Sequence, residues 1–285
     1  MKIELAKKYG FCFGVKRAIK IAENTENSAT IGELIHNNEE IDRLHKKFGV
    51  KTLNDISEIT DEKRLIIRTH GITKDDLDVL KSKNKELIDA TCPFVKKPQQ
   101  IVEKMSSEGY DIIIFGDKNH PEVKGVKSYA KGKVFVVLDV SELKNLKISN
   151  KVALVSQTTK RIENFTKIAE FLMTTTKELR IFNTICNATF QNQEAAAKLA
   201  KKADVMIIIG GKNSSNTKQL LLISQNFCKN SYLIENENEL KKEWFLNKEI
   251  CGITAGASTP EWIIKKVVKK LTQCAKKYRQ NLYHK

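Results

Sequence analysis

The sequence is poor in proline and aromatic residues and has no long apolar run. Four prolines and thirteen glycines among 285 residues, with no low-complexity stretch, exclude an extended flexible linker, so domain boundaries must be compact. Aromatic residues make up only 7%, and no helix-turn-helix, RRM or zinc-finger spacing occurs. The net charge of +16 is spread along the chain, so a basic nucleic-acid-binding module is the weaker reading of it. The longest apolar runs, DVMIIIGG and DIIIFG, fall far short of the roughly 20 residues that cross a bilayer. No CxxC or HxxxH pair marks a zinc site, and no GxxxxGK[ST] marks a P-loop. From Met1 the chain enters the alternating KIEL, with neither a signal peptide's apolar core nor an Arg/Ser-rich transit segment. The expected setting is a bacterial cytoplasm, or a plastid stroma or lumen if a transit segment has been removed. The six cysteines (12, 92, 186, 228, 251 and 274) stand singly, unlike a disulfide scaffold, which points to a reducing compartment.

What is present is a regular alternation. Short β-branched runs (ATIGELI, RLIIRT, ELIDAT, DIIIFG, KVFVVL, VALVS, RIFNTI, DVMIIIGG, SYLIE, ICGITAG) are separated by amphipathic helical patterns. That is an α/β chain with largely parallel sheets. Boundaries near Cys92 and Phe182 give three α/β domains, 1–92, 93–182 and 183–285, the last with a C-terminal helix. Residues 1–10 have the option of pairing as a strand with domain 3.

Reactive residue types collect just after the strands. GELIHNN carries His36, IIRTHG His70, IDATCP Cys92, and IFGDKNHPE His120 and Glu122; LVSQTT carries Thr158, NTICNAT Cys186, IIGGKNSSN Ser214 and Asn216, and ITAGASTPE Ser258. Ligands of open α/β sheets bind outside the carboxyl ends of the strands, where helix N-termini present free N–H groups. Cys12, in YGFCFGVKRAI, Cys92 and Cys186 fall one in each third, at strand-to-helix junctions. Three separate thiolates without a fourth suit an iron–sulfur cluster with one iron left open; three unrelated core cysteines are the plain alternative. Cys228, Cys251 and Cys274 read as lying inside elements. His36, His70, His120, Ser214, Asn216 and Ser258 make an anion cradle, although Ser214 and Ser258 also suit helix capping. Glu122, opening a helix beside His120, is either a charge on the helix dipole or a proton donor.

In order along the chain, YGFCFGVKRAI, GELIHN, RTHGI, DATCPFVKK, NHPEVKG, SQTT, TICNAT, QEAA, KNSSNT and TAGASTPEWII closely resemble the 4-hydroxy-3-methylbut-2-enyl diphosphate reductase (IspH/LytB) family. The resemblance runs from about residue 9 to residue 264. It implies a trefoil of three pseudo-equivalent α/β domains around a central iron–sulfur cavity. It also implies reductive dehydroxylation of that diphosphate to isopentenyl and dimethylallyl diphosphate, the last step of the methylerythritol phosphate route to isoprenoids. By matching motifs, Cys12, Cys92 and Cys186 would hold a 4Fe–4S cluster with one open iron. His36, His70, His120, Ser214, Asn216 and Ser258 would hold the diphosphate, while Glu122, Thr158 and His120 would serve catalysis. One departure is Asn192, where the family often has arginine.

A zinc-dependent phosphohydrolase could use the same Cys and His residues, but thiolate-rich sites rarely suit that chemistry. The excess positive charge is expected to dock an acidic electron carrier, a ferredoxin or flavodoxin, rather than nucleic acid or a membrane. EWIIKKVVKKLTQCAKKYRQ alternates Ile263/Ile264 and Val267/Val268 with Lys265/Lys266 and Lys269/Lys270, which predicts an apolar stripe against the core and a basic face in water.

Overall fold

A computed structural model describes residues 1–282, with side chains described through Gln273. The expectation placed on Cys274 lies outside those described side chains. Strand β1 (Lys2–Leu5) precedes helix α1 (Phe13–Glu23). A first set follows: β2 (Ala29–Ile31), α2 (Asn38–Phe48), β3 (Lys51–Leu53), β4 (Arg64–Ile67), α3 (Lys74–Ser82), β5 (Glu86–Asp89) and α4 (Pro93–Ser107). A second comprises β6 (Asp111–Phe115), α5 (Pro121–Ser128), β7 (Val134–Val137), β8 (Lys151–Ser156), α6 (Ile162–Thr175), β9 (Glu178–Ile181) and α7 (Asn187–Ala200). The third is β10 (Val205–Ile209), α8 (Ser215–Gln225), β11 (Ser231–Ile234), β12 (Ile250–Ala255) and α9 (Glu261–Leu282).

These strands make three parallel four-stranded sheets, ordered β3-β2-β4-β5, β7-β6-β8-β9 and β11-β10-β12-β1. All three share one rule: within a set, the second strand lies outside the first, and the third and fourth follow on the other side. In the last sheet the fourth place is taken by β1, from the opposite end of the chain, in register from Lys2 against Ile250 to Leu5 against Ile253.

The strand expectations at β3 and β9 differ from the structure. The sequence reading has no strand at β3, whose three residues are too few and too polar to alternate visibly. RIFNTI is strand only to Ile181; the fourth strand of its sheet begins earlier, at Glu178.

The chain divides into two compact units. One holds Met1–Phe13, His36–Glu40 and the chain from Asn187 onward, and therefore the β10 sheet; the other holds Gly14–Ile35 and Ile41–Cys186, with the other two sheets. The central strands β6 and β10 are buried at every residue, as parallel strands covered on both faces must be. Successive side chains of β10 serve opposite faces: Ile207 and Ile209 pack with Ile263, Val267 and Leu271 of α9, whereas Met206 and Ile208 pack with Ala196 and Leu199 of α7 and Leu220 of α8. In β6, Ile112 and Ile114 meet Val102 of α4 and Val123 of α5, while Ile113 and Phe115 meet Phe165, Ile168 and Leu172 of α6. Burying one such isoleucine contributes about 1.5–3 kcal/mol. The helices after the first and third strands thus leave on opposite faces. That divergence opens a crevice at the carboxyl ends of those two strands, the switch point at which α/β sheets bind ligands.

Candidate active site

The topology places the predicted residues by a common rule. Loops after the first strands β2, β6 and β10 carry His36, His120 and Ser214, with Glu122 and Asn216 in the first turns of the helices α5 and α8 that follow. Loops after the third strands β4, β8 and β12 carry His70, Thr158 and Ser258. Loops after the fourth strands β5, β9 and β1 carry Cys92, Cys186 and Cys12. Hydroxyl, amide, imidazole and carboxyl groups therefore flank the switch points, and one thiol stands beside each.

Each thiol-bearing loop is tied to the neighbouring third-strand loop by the same backbone bond. Cys92 N–H donates to the Thr69 carbonyl at 3.0 Å, Cys186 N–H to the Thr158 carbonyl at 3.0 Å, and Cys12 N–H to the Ala257 carbonyl at 3.2 Å. The three thiols are partly exposed and in no disulfide. An ideal Cβ on Gly14 would collide with the Cys92 Sγ, so only glycine leaves room for that sulfur. Arg17, one turn further along α1, donates to the Thr91 carbonyl at 3.3 Å and the Asp89 carbonyl at 3.1 Å, which fixes the loop before Cys92.

Cys251 and Cys228 are different. Cys251 lies fully buried in β12, and burial pushes its thiol up to about 12; burial also raises Cys228. Both stay protonated at neutral pH, and a metal ligand must be a thiolate. Cys228 lies just past the end of α8, not inside an element as its pattern predicts.

In the second sheet Glu122 is 1% exposed. Its Oε1 accepts the Thr158 amide N–H at 2.7 Å and its Oε2 accepts the Thr158 hydroxyl at 2.8 Å. Burial lifts this carboxyl from the usual 4.5 to about 6, against the pull of the Thr158 bonds and the Lys160 ammonium. The group is a carboxylic acid poised near neutrality. His120 caps α5, its Nδ1 accepting the Glu122 N–H at 3.2 Å. That bond puts the proton of the neutral ring on Nε2, as a donor. His70 meets the His120 ring edge-on, centroids 5.3 Å apart.

In the third sheet Ser214 caps α8, its hydroxyl accepting the Thr217 N–H at 3.3 Å. The Ser258 hydroxyl donates to the His36 carbonyl at 3.2 Å. Asn216 is 4% exposed, and neither its side-chain oxygen nor its nitrogen has a hydrogen-bond partner. Leaving such an amide buried and unpaired costs on the order of 1–3 kcal/mol per group unless a ligand completes it. Gly210 and Gly256 border the same turn, where a Cβ would press on the Thr217 hydroxyl. The turn at the α8 N-terminus is therefore lined with backbone, an arrangement that suits an anion. The Asn192 side chain is buried in α7.

Sequence reasoning missed Gly14, Arg17 and Lys160. Gly14 and Arg17 lie inside the quoted YGFCFGVKRAI, but their roles depend on Cys92, far along the chain. Lys160 is one basic residue among 50 and gives no signal by itself.

Parallel sheets that carry thiols, imidazoles and one near-neutral carboxylic acid at their carboxyl edges have the architecture of an α/β enzyme. The profile of the LytB protein family matches residues 3–272, and the chain belongs to that family. It is 98% identical over 275 residues to the 4-hydroxy-3-methylbut-2-enyl diphosphate reductase of Campylobacter hominis, covering 96% of this chain and all of that one. The Campylobacter fetus subsp. fetus reductase is 67% identical over 285 residues, the whole of this chain and 99% of that one. Among solved structures, a reductase described as the terminal enzyme of the non-mevalonate pathway is 41% identical with a TM-score of 0.70, covering 96% of this chain and all of that one. The Plasmodium falciparum reductase is 31% identical with a TM-score of 0.89, covering 95% of this chain and 87% of that one. Among the described residues no helix is long and apolar enough to cross a membrane.

Proposed function

We propose that the chain catalyses the reaction for which these relatives are named: reductive dehydroxylation of 4-hydroxy-3-methylbut-2-enyl diphosphate. The allylic C–O bond breaks, two electrons and two protons are taken up, water leaves, and isopentenyl and dimethylallyl diphosphate form. The observation that carries this reading is the recurrence of one thiol at the fourth-strand end of each of three like sheets.

Cys12, Cys92 and Cys186 would hold a 4Fe–4S cluster. The donor set fits: three thiols free of disulfides, each tied by its own amide, and a glycine that makes room for one sulfur. When bound, such a cluster with one iron left open supplies the electrons and a Lewis-acid site for the departing hydroxyl. The chain does the rest. His36, His70, His120, Ser214, Asn216 and Ser258 bind the diphosphate, with His120 donating through Nε2. Asn216 gains the partners it lacks. Glu122, protonated over an accessible pH range, delivers the proton that turns the hydroxyl into water, and the Thr158 hydroxyl holds its carboxyl in line.

The electrons would come from an acidic carrier in the cytoplasm, met by the basic face of α9, where Lys265, Lys266 and Lys269 are exposed and Ile263, Ile264 and Val267 are buried. The limits 1–92, 93–182 and 183–285 mark three repeats of one strand order, the third completed by β1. The test is anaerobic incubation of the reconstituted protein with the allylic diphosphate and a chemical reductant. Formation of both five-carbon diphosphates is expected; release of inorganic phosphate from the substrate instead would overturn the reading.

A further inference from the structure

Lys160 lies in the loop between β8 and α6, two residues beyond Thr158, and is only 8% exposed. No described carboxylate forms an ion pair with it. Its ammonium sits 5.8 Å from the centre of the Phe115 ring, at the end of β6, and acts on Asp117 and Glu122, both on the segment that follows that strand. Burying an ammonium costs several kcal/mol, and a ring face with two carboxylates at a distance returns only part of it. Leucine or methionine would fill the same space without that cost. A charge kept there at such expense acts on a neighbour.

We propose that Lys160 is a positioning residue for Glu122: its buried ammonium, on the loop whose Thr158 grips both Glu122 oxygens, sets how readily that carboxyl gives up its proton. The effect rests on the reading of Glu122 as proton donor only for its kinetic consequence; the electrostatic coupling stands apart from it. Among the described residues, few titratable groups face Glu122. His120 caps its helix, His70 meets the His120 ring edge-on, Asp117 lies on the approach to α5, and Lys160 comes from the opposite loop. Among these, Lys160 pulls the carboxyl toward ionisation, against the burial that favours the acid form. The ammonium makes Glu122 a stronger acid, which eases transfer of its proton, and reduces the fraction that holds that proton at neutral pH.

The test compares wild-type holoenzyme with Lys160→Met and Lys160→Arg, using a chemical reductant so that carrier docking plays no part. An infrared pH titration of the protonated-carboxyl band, with Glu122→Gln as blank, reads the Glu122 proton directly. In Lys160→Met the midpoint is expected to rise, and Lys160→Arg to restore it. The alkaline limb of the pH profile of kcat is expected to rise with it, while KM stays within about twofold. An unmoved carboxyl midpoint overturns the proposal, as does a raised KM with both limb and midpoint in place, which would make Lys160 an anion ligand. A midpoint that moves without the kinetic limb upholds the coupling and instead contradicts Glu122 as the donor.

Discussion

Thr158 donates its amide to one oxygen of Glu122 and its hydroxyl to the other, at 2.7 and 2.8 Å. The Thr158 carbonyl in turn accepts the amide of Cys186 at 3.0 Å. A single threonine thus links the proton-bearing carboxyl to a thiol-bearing loop, and the carboxyl cannot turn without breaking a short bond.

Glu122→Gln keeps the shape and removes the transferable proton. Turnover is expected to fall by about 100-fold or more, with iron content and diphosphate binding retained. Stability should move the other way. The folded carboxyl is raised from 4.5 to about 6, so the fold favours the protonated form. Stability from this group is present below pH 4.5 and is lost as pH rises through about 6, to the extent of about 2 kcal/mol. The glutamine variant should therefore melt higher than wild type at pH 7.5 and equally at pH 4. A variant that melts lower at pH 7.5 would show that the carboxylate is not strained.

Gly14→Ala places a methyl group on the Cys92 sulfur. Iron bound per chain is expected to drop by more than half after anaerobic reconstitution. Gly132→Ala, where a Cβ meets nothing within 4 Å, serves as control and should bind iron normally. Equal iron in both variants would mean that Cys92 has freedom to move.

Asn216→Leu removes a buried amide that has no partner in the free protein. Melting temperature is expected to hold or rise, because an unsatisfied group is lost. The KM for the diphosphate should increase about tenfold or more, the cost of one lost polar contact to a charged group. A stability loss with an unchanged KM would make Asn216 a core residue and no part of the cradle.

Much of this was legible in the sequence, and the gaps have physical causes. Strands whose burial on both faces demands continuous β-branched runs, such as β6 and β10, announce themselves; β3, three residues at a sheet edge, does not. The post-strand placement of Cys92, Glu122, Thr158 and Asn216 could be read because the local pattern of strand, loop and helix carries it. The Glu122–Thr158 clamp, the space Gly14 leaves and the aim of Lys160 could not. Each joins residues far apart in sequence, and side chains in one run do not reveal what they meet. Ser214 does cap its helix as the local pattern predicts, whereas the Ser258 hydroxyl goes to His36.

The basic face of α9 gives a salt prediction. Lys265 is paired with Glu261 at 2.9 Å and Lys266 covers the Trp262 ring, so part of its charge is already committed within the helix. The exposed remainder should still steer an acidic carrier, over a screening length of about 10 Å at 0.1 M salt. Turnover with an acidic ferredoxin is expected to fall steeply as salt rises, and turnover with a small uncharged reductant to stay level. Equal salt dependence of both would remove the docking role.

Mössbauer spectroscopy of protein reconstituted anaerobically with 57Fe, recorded with and without the allylic diphosphate, reaches the three thiols most directly. The expected spectrum is a 4Fe–4S cluster in which one iron differs from the others and shifts when the diphosphate is added. It should survive in Cys228→Ala and Cys251→Ala and vanish in Cys12→Ala, Cys92→Ala and Cys186→Ala. A cluster retained in Cys186→Ala, or four irons that all ignore the diphosphate, would contradict an open iron held by Cys12, Cys92 and Cys186.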